Sequence, residues 1–318
     1  MSNKERYTEF CRKEADMPVF YQPWWLDVVC FEGTWDVLIF EKNHRILGVY
    51  PFFKKKKFNF FTIITMPPYT HFLGPYLKYS EGLKYFEKIS FEKEVYNYFI
   101  NELPKFDLFI QLFNYDVTNW LPFYWQNFKQ TIYYSYIIES ISDIEKVKSN
   151  FHLNKQQEIK KALKKVNIKF DLSPEDFYYF HKRSLEKQNQ KISYTFQLFK
   201  SIVEETLQNN SGKIIYAFDD ENIYSALFFI WDKNSGYNLI TASDPDFKKN
   251  GTLSLLIYET IIFLNDKTKK YDLEGSMNES YEFSYRQFGG RQQQYFYLTK
   301  TNSLLLKLTG TLNYLTLK

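Results

Sequence analysis

A chain of 318 residues that is 44% hydrophobic and 20% aromatic carries too much apolar surface for a disordered protein, and its length excludes a stapled mini-protein and suggests about two domains. Its 41 basic and 37 acidic side chains leave a net charge of only +4, too little on so large a surface to imply DNA binding. Two cysteines, Cys11 and Cys30, and four dispersed histidines exclude a Cys-rich zinc site and an HExxH pair, so no metal is expected.

The first sixteen residues are charged and lack an apolar stretch of signal length. A short strand is expected around Phe20, then a helix over residues 24–29 that Pro23 initiates and a strand over 35–40. Asn43 and His44 turn the chain into a strand at 46–53, and Lys54, Lys55, Lys56 and Lys57 separate it from another at 58–64. Such tightly connected neighbours are expected to be antiparallel. A Pro-rich loop holding Tyr69 and His71, a helix over about 91–103 and a strand at 106–111 complete a first mixed sheet, and a further strand covers 131–138.

Composition then shifts. Residues 143–166 are Lys-rich, with Ile144, Val147 and Phe151 at helical spacing and a basic stripe on a helix over 154–165. The domain boundary is therefore placed near residue 140, giving domains 1–140 and 141–300 and a tail at 301–318. The second domain reads as strand 166–170, helix 174–187, helix 195–208, strands 213–218, 222–231 and 236–241, helix 252–264, strand 271–273, helix 280–288 and strand 294–298. The longest apolar runs, such as Ala226 to Trp231, are far shorter than a membrane span. A cytoplasmic protein with two free thiols is the expectation.

That order, β-α-α-β-β-β-α-β-α-β, resembles the acetyltransferase fold of the GNAT superfamily, and the wording of the last third is similar to its FemABX-like branch. The residues concerned are NGTLSLLIYE at 250–259, YDLEGSM at 271–277 and SYRQFGG at 284–290, with QPWWL at 22–26 and MPPYT at 66–70 in the first half. The resemblance implies an α/β fold of two tandem GNAT-like domains, each a mixed, mostly antiparallel sheet flanked by helices. It implies an acyltransferase that moves an acyl or aminoacyl group from acyl-CoA or aminoacyl-tRNA to an amine on a small molecule, a sugar nucleotide or another cell-envelope precursor. A catalytically silent binding protein for a glycan or nucleotide and a tRNA-dependent aminoacyl transferase are the alternatives.

Acyl transfer to an amine needs a proton acceptor and fixed dipoles at the developing oxyanion. In the fold resembled, the dipoles are backbone amides of a splayed central strand, here 236–241, which leads into Ala242 and Ser243. Glu274, at a strand end, and Glu282, on the next helix, are the candidate catalytic bases; either is also a candidate structural cap. Gly251 just before an apolar helix, with Lys248, Lys249, Asn250 and Thr252, suits a donor's phosphate or is a plain loop-to-helix junction.

The candidate acceptor contacts are Tyr69, His71, His181, Arg183, Tyr194 and Arg286. Arg286 is suited to a phosphate or carboxylate, or to an ion pair with Glu282 or Asp272. Asp272, Gly275, Gly289 and Gly290 are assigned structural roles. Lys54 to Lys57 suit an anionic lipid, a nucleotide diphosphate or merely a solvated hairpin tip, and the helix from Lys155 to Lys165 suits tRNA phosphates or a wet face. The tail, with Lys307 and Lys318, is expected to rest on the body or make peripheral contact with a bilayer surface.

Overall fold

The computed structural model describes residues 1–275 and 277–308, without the side chains of Lys248, Lys249 and Leu308. The chain runs α1 (Asn3–Lys13), α2 (Pro23–Val29), β1 (Thr34–Lys42), β2 (Arg45–Lys57), β3 (Phe61–Thr65), β4 (Tyr76–Leu77), α3 (Tyr85–Glu102), β5 (Leu108–Leu112), α4 (Leu121–Trp125) and β6 (Lys129–Ile138). It continues with α5 (Ile144–Ser149), α6 (Leu153–Ala162), β7 (Asn167–Lys169), α7 (Pro174–Glu186), α8 (Phe196–Gln208), β8 (Gly212–Phe218), β9 (Ile223–Trp231) and β10 (Ser235–Ser243). The last elements are α9 (Thr252–Leu264), β11 (Lys270–Asp272), α10 (Glu279–Tyr285), β12 (Arg291–Thr301) and α11 (Leu304–Leu308). From β7 to β12 the order is the one read from the sequence.

Two compact units result. One holds Met1–Ala15, Phe20–Tyr133 and the chain from Gln294 onward; the other holds Asp16–Val19 and Tyr134–Gln293. The exchange at Tyr133 falls a little before residue 140, and the chain end returns to the first unit because β12 pairs antiparallel with β5 from Tyr297↔Leu112 to Thr301↔Leu108. A reading in chain order does not reveal such a return. The part of the expected tail beyond residue 308, including Lys318, lies outside the described residues.

The first unit is a sheet of order β1-β2-β3-β5-β12, antiparallel except for the parallel β3/β5 pair. Helix α1 is capped by a Ser2/Glu5 box and buries Tyr7, Phe10 and Cys11 at helical spacing. Helix α3 lays Val95, Tyr96 and Phe99 into a core with Tyr50, Ile64, Phe109 and Phe113. Two local expectations fail here. Phe20 lies in a 3-10 turn, Val19–Tyr21, and Lys54 to Lys57 belong to β2, paired with β3 from Lys54↔Ile64 to Lys57↔Phe61. Lysines extend a strand readily when their ammonium groups reach water, and the turn falls at 58–60, where Phe58 and Asn59 take positive φ.

The second unit is a sheet of order β6-β11-β10-β9-β8-β7, antiparallel except for β10/β11. Its strand β9 is apolar on both faces because both are covered. Leu227, Phe229 and Trp231 join the core cluster that includes Leu255, Leu256 and Ile261 of α9, while Phe228 meets Phe199 of α8 edge-on at 5.7 Å. This explains the unbroken run from Ala226 to Trp231. Gly251, between a 3-10 turn and α9, has φ 71, and a Cβ there would lie 2.7 Å from the Glu158 carbonyl oxygen on α6. Gly251→Ala is therefore expected to destabilise the protein by about 2 kcal/mol or more, read as a lowered urea midpoint at unchanged slope.

Candidate active site

Strands β10 and β11 run parallel only over Ser235↔Lys270, Gly236↔Tyr271 and Tyr237↔Asp272. Beyond that point the chain stays with β6, since the Leu273 N–H donates to the Tyr136 carbonyl at 3.0 Å. Residues 238–243 of β10 keep β9 on one side and lose β11 on the other. The register of β10 on β9 also slips at Leu239, between Asn238↔Phe229 and Ile240↔Phe228. A bulge of this kind re-aims the backbone and is common beside active sites. The second half of β10 thus has no strand partner on that side, as a site that grips a carbonyl with backbone amides requires.

Glu274 stands where the two strands part. It is one of the few non-glycine residues with positive φ, at 62°, a conformation that costs about 1 to 3 kcal/mol. Its own N–H donates to Asp272 Oδ1 at 2.8 Å, while Asp272, fully buried, also accepts from Ser135 Oγ. Glu274 Oε1 is shielded from solvent and has no hydrogen-bond partner among the described residues. Burial first, and the Asp272 carboxylate second, hold the Glu274 carboxyl well above the usual carboxylate range. A carboxyl that holds its proton above the ordinary carboxylate range suits an acid or base in transfer chemistry.

The wall behind it is polar where the sequence reading had singled out nothing. Tyr271 OH donates to Asn238 Oδ1, and the buried Asn238 Nδ2 has no partner among the described residues. Tyr285 of α10 is also enclosed, its hydroxyl pushed up by burial and then by Glu274. Asn238 was discoverable as an amide in an otherwise buried strand; Tyr285 lies within the 284–290 motif without being chosen.

Glu282, the other candidate base, is committed elsewhere. It accepts from Tyr136 OH at 2.5 Å and pairs with Arg286 at 3.8 Å. Arg286 thus takes the ion-pair alternative and covers the Phe283 ring at 4.9 Å. Gly289, at φ 68, abuts the Asn150 carbonyl, and Gly290 passes the Ile137 backbone; Gly275 follows Glu274 in the turn.

The residues expected at the donor are brought together, but around a filled junction. Ser225 Oγ bonds Ser243 Oγ at 3.0 Å and Thr252 Oγ1 at 2.7 Å, while Ala242 is buried against β9. Asn250 ends the 3-10 turn that Lys248 and Lys249 share. The start of α9 is covered by α6. Ser254 Oγ donates to Glu158 Oε2 at 2.6 Å, and the buried Lys155 binds both Glu158 and Ser254. The Glu158–Lys155 pair already occupies this helix start. Gly251 admits the close approach of α6, and Thr252 is turned to Ser225.

On the acceptor side, His181 and Tyr194 meet, His181 Nδ1 lying 2.7 Å from Tyr194 OH. Arg183, two residues further along α7, is exposed and lines an open groove of roughly 600 Å³ with Tyr179, Lys182 and Tyr216. Lys187, at the end of α7, donates to both oxygens of the buried Asp244 at 2.8 and 2.7 Å and to Asp246 at 2.6 Å. It anchors the end of β10, a role missed because the partners lie far apart in sequence. Tyr69 and His71 belong to the first unit. Tyr69 has φ 56, and His71 packs among Phe20, Phe72 and Tyr295.

No family model and no curated protein matches the sequence. Solved structures do. FemX is similar over 96% of this chain and 98% of its own, with a TM-score of 0.69 at 11% identity. L-PGS from Bacillus licheniformis matches over 96% and 94% (TM-score 0.55, 6% identity). The C-terminal domain of a proposed lysylphosphatidylglycerol synthetase from Agrobacterium fabrum matches over 98% and 96% (TM-score 0.54, 10% identity). The chain has the GNAT-like fold of the FemABX type.

Burial lowers the His181 imidazole to about 4. Between its unfolded value near 6.5 and about 4, the unfolded chain binds a proton that the folded one refuses, so His181 makes stability fall as pH drops through that window. Denaturation midpoints at pH 7 and pH 5 are expected to differ less in His181→Gln than in the unaltered protein, by on the order of 1 kcal/mol.

Proposed function

We propose that the protein is an acyltransferase that moves an aminoacyl or acyl group from an activated ester or thioester to an amine. The observation that carries this reading is the parting of β10 and β11 with the Glu274 carboxyl enclosed at the fork. The acceptor amine attacks the donor carbonyl carbon and the C–N bond forms. Amides of the second half of β10 receive the oxyanion, and Glu274 takes the proton lost by the amine. Collapse breaks the C–O or C–S bond and returns a proton to the departing donor.

Aminoacyl-tRNA is the preferred donor over acyl-CoA, because the α9 start that would seat a diphosphate is filled by α6 and Glu158. Similarity in fold to a proposed lysylphosphatidylglycerol synthetase supports aminoacyl chemistry. Among the helix lysines considered for tRNA, Lys155 is buried and bonded within the protein, whereas Lys160, Lys161, Lys164 and Lys165 are exposed.

Incubation with charged tRNA is expected to raise the melting temperature more than acyl-CoA does. Glu274→Gln, which imitates the neutral acid, should keep the fold and the donor-induced shift while turnover falls about 10²- to 10⁴-fold. The raised carboxyl also destabilises the fold as pH rises above its unfolded value, so this variant should be no less stable than the parent at pH 8. A parent protein that binds but never transfers would be the silent binder instead.

A further inference from the structure

Several registers place one end of the first unit's sheet: the start of β1, the end of β2, the starts of β3 and β5, and the end of β12. Strand β2 leaves β1 at Thr34↔Lys54, and β3 meets β5 only from Ile63↔Leu108. Residues 56–60 therefore extend past both neighbours as a finger. At its tip Phe58 and Phe60 are more than half exposed. The Phe60 and Phe61 rings touch at a tilt, 4.2 Å between centroids, and Phe61 shares a cluster with Leu306 of α11, whose Leu304 and Leu305 are also more than half exposed. Phe31, exposed just before β1, lies at the same end.

Lysines ring this apolar tip. Lys56 donates to Thr62 Oγ1 across the hairpin at 2.7 Å, Lys57 lies 5.9 Å from the Phe58 ring, and Lys54, Lys105 and Lys307 stand on the same end. The nearby acids are Glu32, paired with Lys55 at 3.3 Å, and Asp107, whose carboxylate accepts the Thr62 N–H, so the net field is positive.

We infer that this finger, with α11 beside it, is a membrane-surface contact that inserts Phe58 and Phe60 at the headgroup boundary of an anionic phospholipid bilayer, with the lysines on lipid phosphates. Two exposed phenyls on a convex tip with a basic collar match an interface that is apolar within and anionic outside. A protein partner would need a complementary face of about 800 Å², which a finger does not present; a bilayer closes around any contour. The inference does not depend on the proposed chemistry.

The test is co-sedimentation of the full chain with vesicles of equal phosphatidylglycerol and phosphatidylcholine, and with phosphatidylcholine alone. Binding is expected to the anionic vesicles and to be about tenfold weaker or more on the neutral ones. The double variant Phe58→Asn/Phe60→Ser should lose about tenfold or more in partitioning with an unchanged melting temperature. In Phe58→Trp the emission should shift to shorter wavelength on vesicle addition, and Glu274→Gln should bind like the parent. Failure of the parent to sediment with anionic vesicles, or equal partitioning by the double variant, overturns the inference. So does polyuridylate binding that needs Lys54 and Lys56 in the absence of vesicle binding.

Discussion

The site depends on which neighbour the chain follows after Asp272. Had Leu273 continued beside β10, the sheet would close and the amides of residues 238–243 would be spent on a ladder. Its N–H goes instead to Tyr136 of β6. Asp272 secures that choice from below, accepting from Ser135 of β6 and from the Glu274 N–H. One buried carboxylate thus ties the strand to one neighbour, fixes the left-handed turn at Glu274 and raises the pKa of the group it positions. A buried charge is worth keeping only when its acceptor sites are filled, and here the filling itself shapes the fork.

Most of the second unit's order was legible because its segments differ in period. Helix α9 is apolar throughout and follows a glycine; β9 is an unbroken apolar run; α7 and α8 begin at Ser173 and Thr195, which cap them. The fork itself was visible only through the resemblance, since neither a bulge at Leu239 nor the end of a ladder has a sequence signature. Glu274 was singled out from its place after a short strand. Its separation from Glu282 was not, because Tyr136 and Arg286 claim Glu282 through contacts that spacing does not disclose.

Polar residues in buried strands were the main illegible part. Asn238 and Ser225 sit in buried strands, Asp244 follows one, and each is matched by a group distant in sequence: Tyr271, Thr252 and Lys187. Binary pattern predicts where a strand lies, not which polar atoms it pairs. The lysines at 54–57 show the converse, since charge suggested a break where backbone pairing continued.

Gly251 illustrates how one residue type supports two incompatible uses. A glycine before an apolar helix admits a phosphate because nothing crowds the freed amides; it equally admits another helix, for the same reason. The two uses differ in what else is present. A phosphate seat keeps the helix start open and free of acids, whereas here Glu158 arrives with its backbone against Gly251 and its carboxylate on Ser254. The helix dipole is satisfied inside the protein, so the two uses exclude one another at this helix start.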